Sequence, residues 1–281
     1  MSTTGSRLDR PLSVGLKIWV GAVSIFLISP ILMIIPMSFS SGRYLEFPPP
    51  GWSLQWYLAF LSSPEWMGSL STSIIVAALT TLFSLLLGLP AALALARGRF
   101  TFRPLFFSAI ALPIVFPVIA LAVSLYYLFS LLHLIATPLG LALAHTVLAL
   151  PVATIPLWAA LRQIDQRVEW QALSLGATKL QTLATVTIPL ISPAMITAAL
   201  FAFVTSFDEV VVAIFLTGGD TVTLPVRIWQ GLRFEIDPTV TVVASFLLVT
   251  SVAVLAAVFL IERFAAGSVS QRGGIAWKPA A

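Results

Sequence analysis

Long apolar segments separated by short polar ones make up most of this chain. A helix needs about 20 apolar residues to cross a bilayer, and each segment is long enough for one crossing. The pattern predicts six membrane-spanning helices, over residues 18–38, 70–95, 104–132, 138–160, 191–216 and 239–262. The predicted fold class is therefore an all-α membrane protein, with six transmembrane helices and the prolines inside them acting as kinks.

The same pattern divides the chain into a short leading segment, one isolated helix and a larger membrane domain. The first apolar run is too long for the apolar region of a cleaved signal, so we expect it to be retained as a span. The predicted parts are a cytoplasmic segment 1–17, a first helix 18–38, an external loop 39–69, a transmembrane domain 70–262 with a polar loop 161–190, and a cytoplasmic tail 263–281.

Composition supports a membrane protein and excludes several kinds of site. The chain is 59% hydrophobic and only 9% charged, far less charged than a soluble domain. No Asp, Glu, Lys or Arg occurs between Pro104 and Leu161. The absence of cysteine excludes disulfides and thiolate metal sites, and two histidines are too few for a His-rich metal centre. We predict no catalytic residues and no metal ligands.

The distribution of basic residues predicts the orientation. Three of the 15 fall on one side of the predicted membrane, namely Arg43, Arg227 and Arg233, and all the others fall on the opposite side. Basic residues concentrate on the cytoplasmic side of membrane proteins, so both termini are expected in the cytoplasm. The net charge of +4 thus reflects membrane topology, and we predict no nucleic-acid binding.

The polar loop after the fourth span has the pattern of two short helices. Apolar residues recur at helical spacing up to Gly176, which is placed to end a helix as a C-cap glycine. A second helical stretch is predicted from Thr178 to Thr187, just before Pro189. Taken alone, the first helix could be an interfacial anchor or a docking element for another protein.

Two adjacent acids, Asp208 and Glu209, lie inside the fifth apolar segment. At 1.5 Å per residue Asp208 is about 25 Å from the cytoplasmic end of a continuous helix, in the outer part of the bilayer. Such groups usually face a cavity or a charged partner. Together with Thr205 and Ser206 they are predicted to form one polar flank of a helix. Three interpretations stay open: the acids line a pathway for a cationic solute, Asp208 or Glu209 pairs with an arginine of another subunit, or Glu209 is protonated.

The loop residues resemble a known family. Residues 169–177, with Val186, Ile188 and Pro189 at fixed offsets, resemble the EAA loop of bacterial ATP-binding-cassette (ABC) importer permeases. The resemblance implies ATPase-coupling roles for a set of loop residues, namely Glu169, Ala172, Gly176, Ala177 and Pro189. The sequence departs from the family pattern at Trp170, where the family has its glutamate, and at Gln171, where it has the first alanine.

This resemblance implies a type I importer permease in the bacterial inner membrane, with the helix before Gly176 as its coupling helix. The chain has no GxxxxGK[ST] phosphate-binding loop, so ATP and Mg would be bound by a partner, and no cofactor is expected in this chain. The implied partners are a cytoplasmic ABC ATPase dimer, a second, non-identical permease subunit, a periplasmic solute-binding protein and membrane lipid.

The run Ser206-Phe207-Asp208-Glu209 is similar to a motif of the spermidine/putrescine branch of that family. The resemblance implies transport roles for Ser206, Asp208 and Glu209, and a small organic cation such as a polyamine as solute. That branch often has an acid after the second proline of the third span, where this chain has Val118. Relatives that carry opines or organophosphonates therefore remain alternatives.

Two other classes of function compete with an importer permease. An ion-coupled secondary carrier could use Asp208 and Glu209 as a relay, but such carriers often contain internal repeats and none is visible here. An intramembrane enzyme would need a catalytic motif such as HExxH, which the sequence lacks.

Overall fold

The computed structural model of this chain describes residues 9–219, 221–234 and 238–272. It contains helices in all of these ranges and, within them, no strand beyond one isolated bridge between Ser40 and Trp52. The helices are α1 (Asp9–Ser38), α2 (Gln55–Ser62), α3 (Pro64–Arg97), α4 (Arg103–Val115), α5 (Val118–Leu131), α6 (Pro138–Gln163), α7 (Gln166–Ser174), α8 (Lys179–Thr182), α9 (Ile188–Phe207), α10 (Val211–Leu216), α11 (Leu224–Phe234) and α12 (Thr239–Arg272).

The helices confirm the all-α membrane class. Five are long and apolar enough to cross a membrane, over Val14–Ser38, Pro64–Arg97, Pro138–Gln163, Lys179–Phe207 and Thr239–Leu260. A sixth crossing is obtained if α4 and α5 are taken as one bent span. The short helices α2 and α11, in the segments between spans, were not predicted from the sequence.

The segment 104–132, predicted as one span with kinks at its prolines, is broken more sharply than a kink, because α4 and α5 meet at an angle of 104°. Phe116 is extended and Pro117 is the N-cap of α5. Proline has no backbone N–H, and it disfavours helical geometry in the residue before it. The second proline of this segment therefore breaks the helix, whereas Pro113 lies inside α4.

The described residues form two compact units, which fall within Met1–Ser63 with Gln230–Phe246 and within Pro64–Trp229 with Leu247–Ala281. In the first unit, α1 and α2 are joined by a hydrogen bond of 2.8 Å between the hydroxyls of Ser38 and Tyr57. In the same unit Ser245, near the start of α12, donates to the Ile34 carbonyl at 3.3 Å.

The second unit is built around α3, α6 and α9. Their shared core is rich in alanine, which lets helices approach closely, and contains Ala92, Ala149, Ala153, Ala198 and Ala202. Gly88 of α3 lies against Thr154 of α6, where an added Cβ would be 3.0 Å from the threonine hydroxyl. A second core contains Val76, Leu125, Phe129, Leu141, Val212 and Leu216 and joins α5 and α10 to α3 and α6.

The first half of α11 is tied to the start of α3 in this unit. The backbone N–H of Leu224 donates to Ser73 Oγ at 2.7 Å, and Arg227 forms an ion pair of 3.1 Å with Glu65. These contacts fix the chain that follows α10.

Candidate functional site

The polar loop folds as predicted into a short helix, a glycine turn and a second helical stretch. The side chain of Asp165 caps the start of α7 by accepting the N–H of Arg167 at 3.0 Å. At the other end, the N–H of Gly176 donates to the Leu173 carbonyl and that of Ala177 to the Ala172 carbonyl, at 3.0 and 3.1 Å. This pair of bonds is a Schellman motif, and Gly176 supports it with a φ of +93°.

The second stretch begins at a capping box and leads directly into α9. Thr178 and Gln181 exchange side-chain to backbone hydrogen bonds at the start of α8. Leu183–Thr187 then form a π-helical turn, and α9 begins at Ile188 with Pro189 in its first turn. The helical prediction for 178–187 is confirmed, and the widened turn is a feature that no local sequence signal indicated.

Glu169 is bonded within the chain. Its carboxylate accepts two hydrogen bonds from Arg97, from Nε at 3.1 Å and Nη2 at 3.2 Å, and a third from the Thr187 hydroxyl at 3.1 Å. We call these three residues, Arg97, Glu169 and Thr187, the Glu169 clamp. It joins α7 to the last residue of α3 and to the chain just before α9.

Most side chains of α7 are exposed, and only Gln166, Glu169 and Ala172 are half-buried. No residue of α7 is buried, and in α7 and its C-cap the exposed large apolar residues are Val168, Trp170, Leu173 and Leu175, the last with 90% of its surface accessible. Ala172 and Ala177 are half-buried, whereas Pro189 is exposed. Large apolar side chains exposed on a polar loop helix are typical of an interaction surface.

The prediction of one continuous helix over 191–216 is wrong. Helix α9 ends at Phe207, Asp208 is its C-cap, and α10 begins only at Val211. Asp208 and Glu209 therefore lie at a helix break, and Glu209 does not share a helix face with Thr205 as the sequence analysis predicted.

The carboxylate of Glu209 accounts for the break. It accepts the backbone N–H groups of Val211, Val212 and Ala213, all at 3.0 Å. In a continuous helix these donors would bind the carbonyls four residues earlier. Glu209, the residue before the N-cap Val210, instead caps the start of α10 with its side chain.

A buried polar network links the break to three helices. His145 of α6 lies 2.9 Å from Ser206 through Nδ1, and Ser206 donates to Thr80 of α3 at 3.2 Å. Thr80 in turn donates to the Ala142 carbonyl at 3.2 Å. Since the Ser206 hydroxyl hydrogen points to Thr80, its oxygen accepts from Nδ1, which leaves Nε2 of His145 facing Glu209 Oε2 at 3.6 Å.

The structure thus separates the predicted pathway residues. Ser206 is buried in this network, and Glu209 is turned inward toward it. Asp208 is exposed, and Thr205 is half-buried one turn before it on α9. Sequence reasoning missed Thr80, Arg97 and Thr187, which lie far from their partners along the chain. Among the residues described, no cluster of His, Cys, Asp or Glu could hold a metal ion.

The sequence of this region matches a known protein family. Residues 84–266 match the family "Binding-protein-dependent transport system inner membrane component". The matched region begins in α3 and includes the polar loop, the helix break, and His145 and Ser206 of the buried network, whereas Thr80 lies four residues before it.

Curated relatives cover most of the chain. It is 33% identical over 230 residues to the putrescine transport system permease protein PotI of Escherichia coli K12, with 79% of this chain and 82% of the relative covered. It is 30% identical over 242 residues to the spermidine/putrescine permease protein PotC of that strain, covering 86% and 91%. It is also 32% identical over 257 residues to the sulfoquinovosyl glycerol permease protein SmoH of Agrobacterium fabrum, covering 88% and 90%.

Solved structures share the fold at lower identity. A bacterial ABC transporter that imports the acidic polysaccharide alginate matches with a TM-score of 0.69 and 21% identity, covering 93% of this chain and 99% of that one. The family match and the permease relatives confirm the resemblance seen in the sequence. The chain therefore belongs to the binding-protein-dependent transport system inner membrane components, as an ABC importer permease subunit and not an enzyme.

Proposed function

We propose that this subunit forms half of a translocation pathway for a small organic cation and that α7 is the coupling helix that docks on a cytoplasmic ABC ATPase dimer. ATP and Mg are bound by that ATPase. The other half of the pathway belongs to a second, non-identical permease subunit, and a periplasmic protein delivers the solute.

The exposed face of α7 supports the ATPase contact. A short, capped helix with exposed Trp170, Leu173 and Leu175 offers apolar anchors of the kind that fill a groove on a partner. The Schellman motif at Gly176 gives this helix a defined end and therefore a defined shape.

The family description supports a solute-binding protein, since it names a binding-protein-dependent system.

The observation that carries the solute class is Asp208. Its carboxylate is exposed at the C-terminal end of α9, where the partial negative charge of the helix dipole adds to that of the side chain. Both favour a cation. Similarity of sequence does not decide the solute, because PotI and PotC are named for putrescine and spermidine while SmoH, at similar identity, is named for sulfoquinovosyl glycerol.

Neutralising Asp208 tests this proposal. We expect Asp208→Asn to lower uptake of radiolabelled putrescine into proteoliposomes that contain the assembled transporter by about tenfold or more, because a hydrogen bond to a charged group contributes about 1.5–3 kcal/mol. Assembly with the other subunits should be normal. Asp208→Glu, which keeps the charge, is the control and should retain most of the uptake.

Two results would contradict the assignment of Asp208 to the pathway. One is wild-type putrescine uptake by the assembled Asp208→Asn transporter. The other is a loss of uptake fully accounted for by loss of assembly, which would indicate that Asp208 pairs with a cationic residue of another subunit. Uptake of an opine or an organophosphonate but not of putrescine would favour those solutes instead.

A further inference from the structure

The Glu169 clamp is well placed to transmit movement. The two oxygens of one carboxylate are held by Nε and Nη2 of Arg97, and Thr187 adds a third donor. The side chains of Arg97 and Glu169 are only 20% and 16% exposed, and Thr187 is buried. A bidentate arginine–carboxylate pair fixes orientation as well as distance, and partial burial reduces its screening by water.

Few other contacts attach α7 to the helix bundle. Within residues 166–174, Glu169 is the one side chain for which the structure shows a bond to another helix, and no residue of α7 is buried. The covalent connections of α7 run through the end of α6 and through the Gly176 turn. Glu169 bypasses that turn and reaches the end of the π-helical turn directly.

We propose that Arg97 and Thr187 are positioning residues that pass a displacement of α7 into α3 and α9 through Glu169. The inference rests on the proposed function, in which α7 is the ATPase contact. Without the clamp, a movement of α7 would be taken up by rotation at the Gly176 turn and by deformation of the π-helical turn.

Helices α3 and α9 are also bonded to each other at a second place, far from the Glu169 clamp. Ser206 of α9 donates to Thr80 of α3, and Ser206 lies about 28 Å along its helix from Thr187, at 1.5 Å per residue. A displacement applied at the clamp therefore acts on two helices that are already bonded to each other beside Asp208. This arrangement carries a movement of α7 to the proposed solute site as one rigid displacement.

The test uses a cysteine placed beside the proposed pathway. The chain has no cysteine, so Thr205→Cys in the full transporter, with the partner subunits freed of cysteine, gives a single labelling site. Its reaction rate with a water-soluble maleimide is measured with and without ATP plus vanadate. We expect a nucleotide-dependent change of about fivefold or more in the parent chain, the lower end of typical coupling between sites.

Variants of the clamp should lose this change while the ATPase stays bound. Arg97→Gln, Glu169→Gln and Thr187→Val should each bring the ratio of the two rates to within about twofold of one, below the usual range of coupling. The exchange Arg97→Glu with Glu169→Arg, and the conservative Thr187→Ser, should restore it. Arg99→Gln, the same substitution at an exposed position two residues beyond the clamp, should behave as the parent chain.

The outcomes separate the inference from the function on which it rests. Retention of the full nucleotide-dependent change by the clamp variants would overturn the clamp and leave the coupling role of α7 intact. No change in the parent chain would overturn both. If the Arg97 and Glu169 variants do not assemble, the comparison of Thr187→Val with Thr187→Ser tests the clamp instead. These two variants remove and restore one hydroxyl without altering charge.

Discussion

Gly176 shows how one residue limits what α7 can tolerate. An added Cβ at Gly176 would meet no atom within 4 Å, so a side chain has room. The constraint is the backbone, because a φ of +93° costs an L-residue about 1–2 kcal/mol and a β-branched one most of all.

We expect Gly176→Val to uncouple ATP hydrolysis from transport in the inserted and assembled complex, and Gly176→Asn to keep more of the coupling. Asparagine adopts positive φ more readily than valine, so it should preserve the Schellman motif better. The measurement is ATP hydrolysis stimulated by putrescine and the binding protein. Equal coupling in both variants and the parent chain would show that the turn conformation does not matter.

Gly176 and Glu209 both act on the backbone close to them, but the sequence indicated the role of Gly176 alone. Gly176 follows a helical pattern in the sequence, and glycine is common at that position because it readily adopts the left-handed backbone conformation that ends a helix. Glu209 gave no such signal, since an acid in an apolar segment looks the same whether it lies on a helix or caps the next one. Its role became evident only from its three backbone donors.

At the scale of elements, the start of α10 depends on Glu209. We expect Glu209→Ala to lower the unfolding free energy of the purified transporter by about 2 kcal/mol, because three backbone N–H groups lose a charged acceptor. Asp208→Ala, at the exposed neighbouring position, is the matched control and should change stability little. Thermal unfolding in detergent measures both.

The opposite order of stabilities would contradict this role for Glu209. It would indicate that Asp208 makes a structural contact with another subunit and that Glu209 lines the pathway, as the sequence analysis predicted.

Helix boundaries were predicted well only where the apolar pattern itself changes. Helices α4 and α5 lie within one apolar segment, and so do α9 and α10. The apolar pattern therefore predicted one span for each pair. A Pro in such a segment can kink a helix or end it, and the choice depends on which neighbours satisfy the freed backbone groups. Pro113 and Pro117 illustrate the two results only four residues apart.

At the scale of the whole molecule, the distribution of basic residues predicts which ends face the cytoplasm. A reporter active only outside the cytoplasm should be silent when fused after Lys179, in the polar loop, and active when fused after Gly219, beyond α10. Activity of phosphatase fusions in intact cells measures this. The reverse pattern would invert the topology and remove α7 from the side where an ATPase could reach it.

Contacts between residues far apart along the chain could not be predicted from one sequence. Arg97 and Glu169 are 72 positions apart, and Thr80 and Ser206 are 126 apart. Each of these residues has an ordinary local setting, so neither pair could be predicted without the packing of α3, α6 and α9.

The bend between α4 and α5 has a consequence for how the chain enters the membrane. The 13 and 14 residues of these helices span only about 20 Å each, less than the hydrocarbon thickness of about 30 Å. Neither half can be inserted as an independent crossing during synthesis. Residues 103–131 therefore enter the bilayer together, as one bent crossing or as a re-entrant loop, and the interrupted backbone at Phe116 and Pro117 needs protein or water beside it rather than lipid.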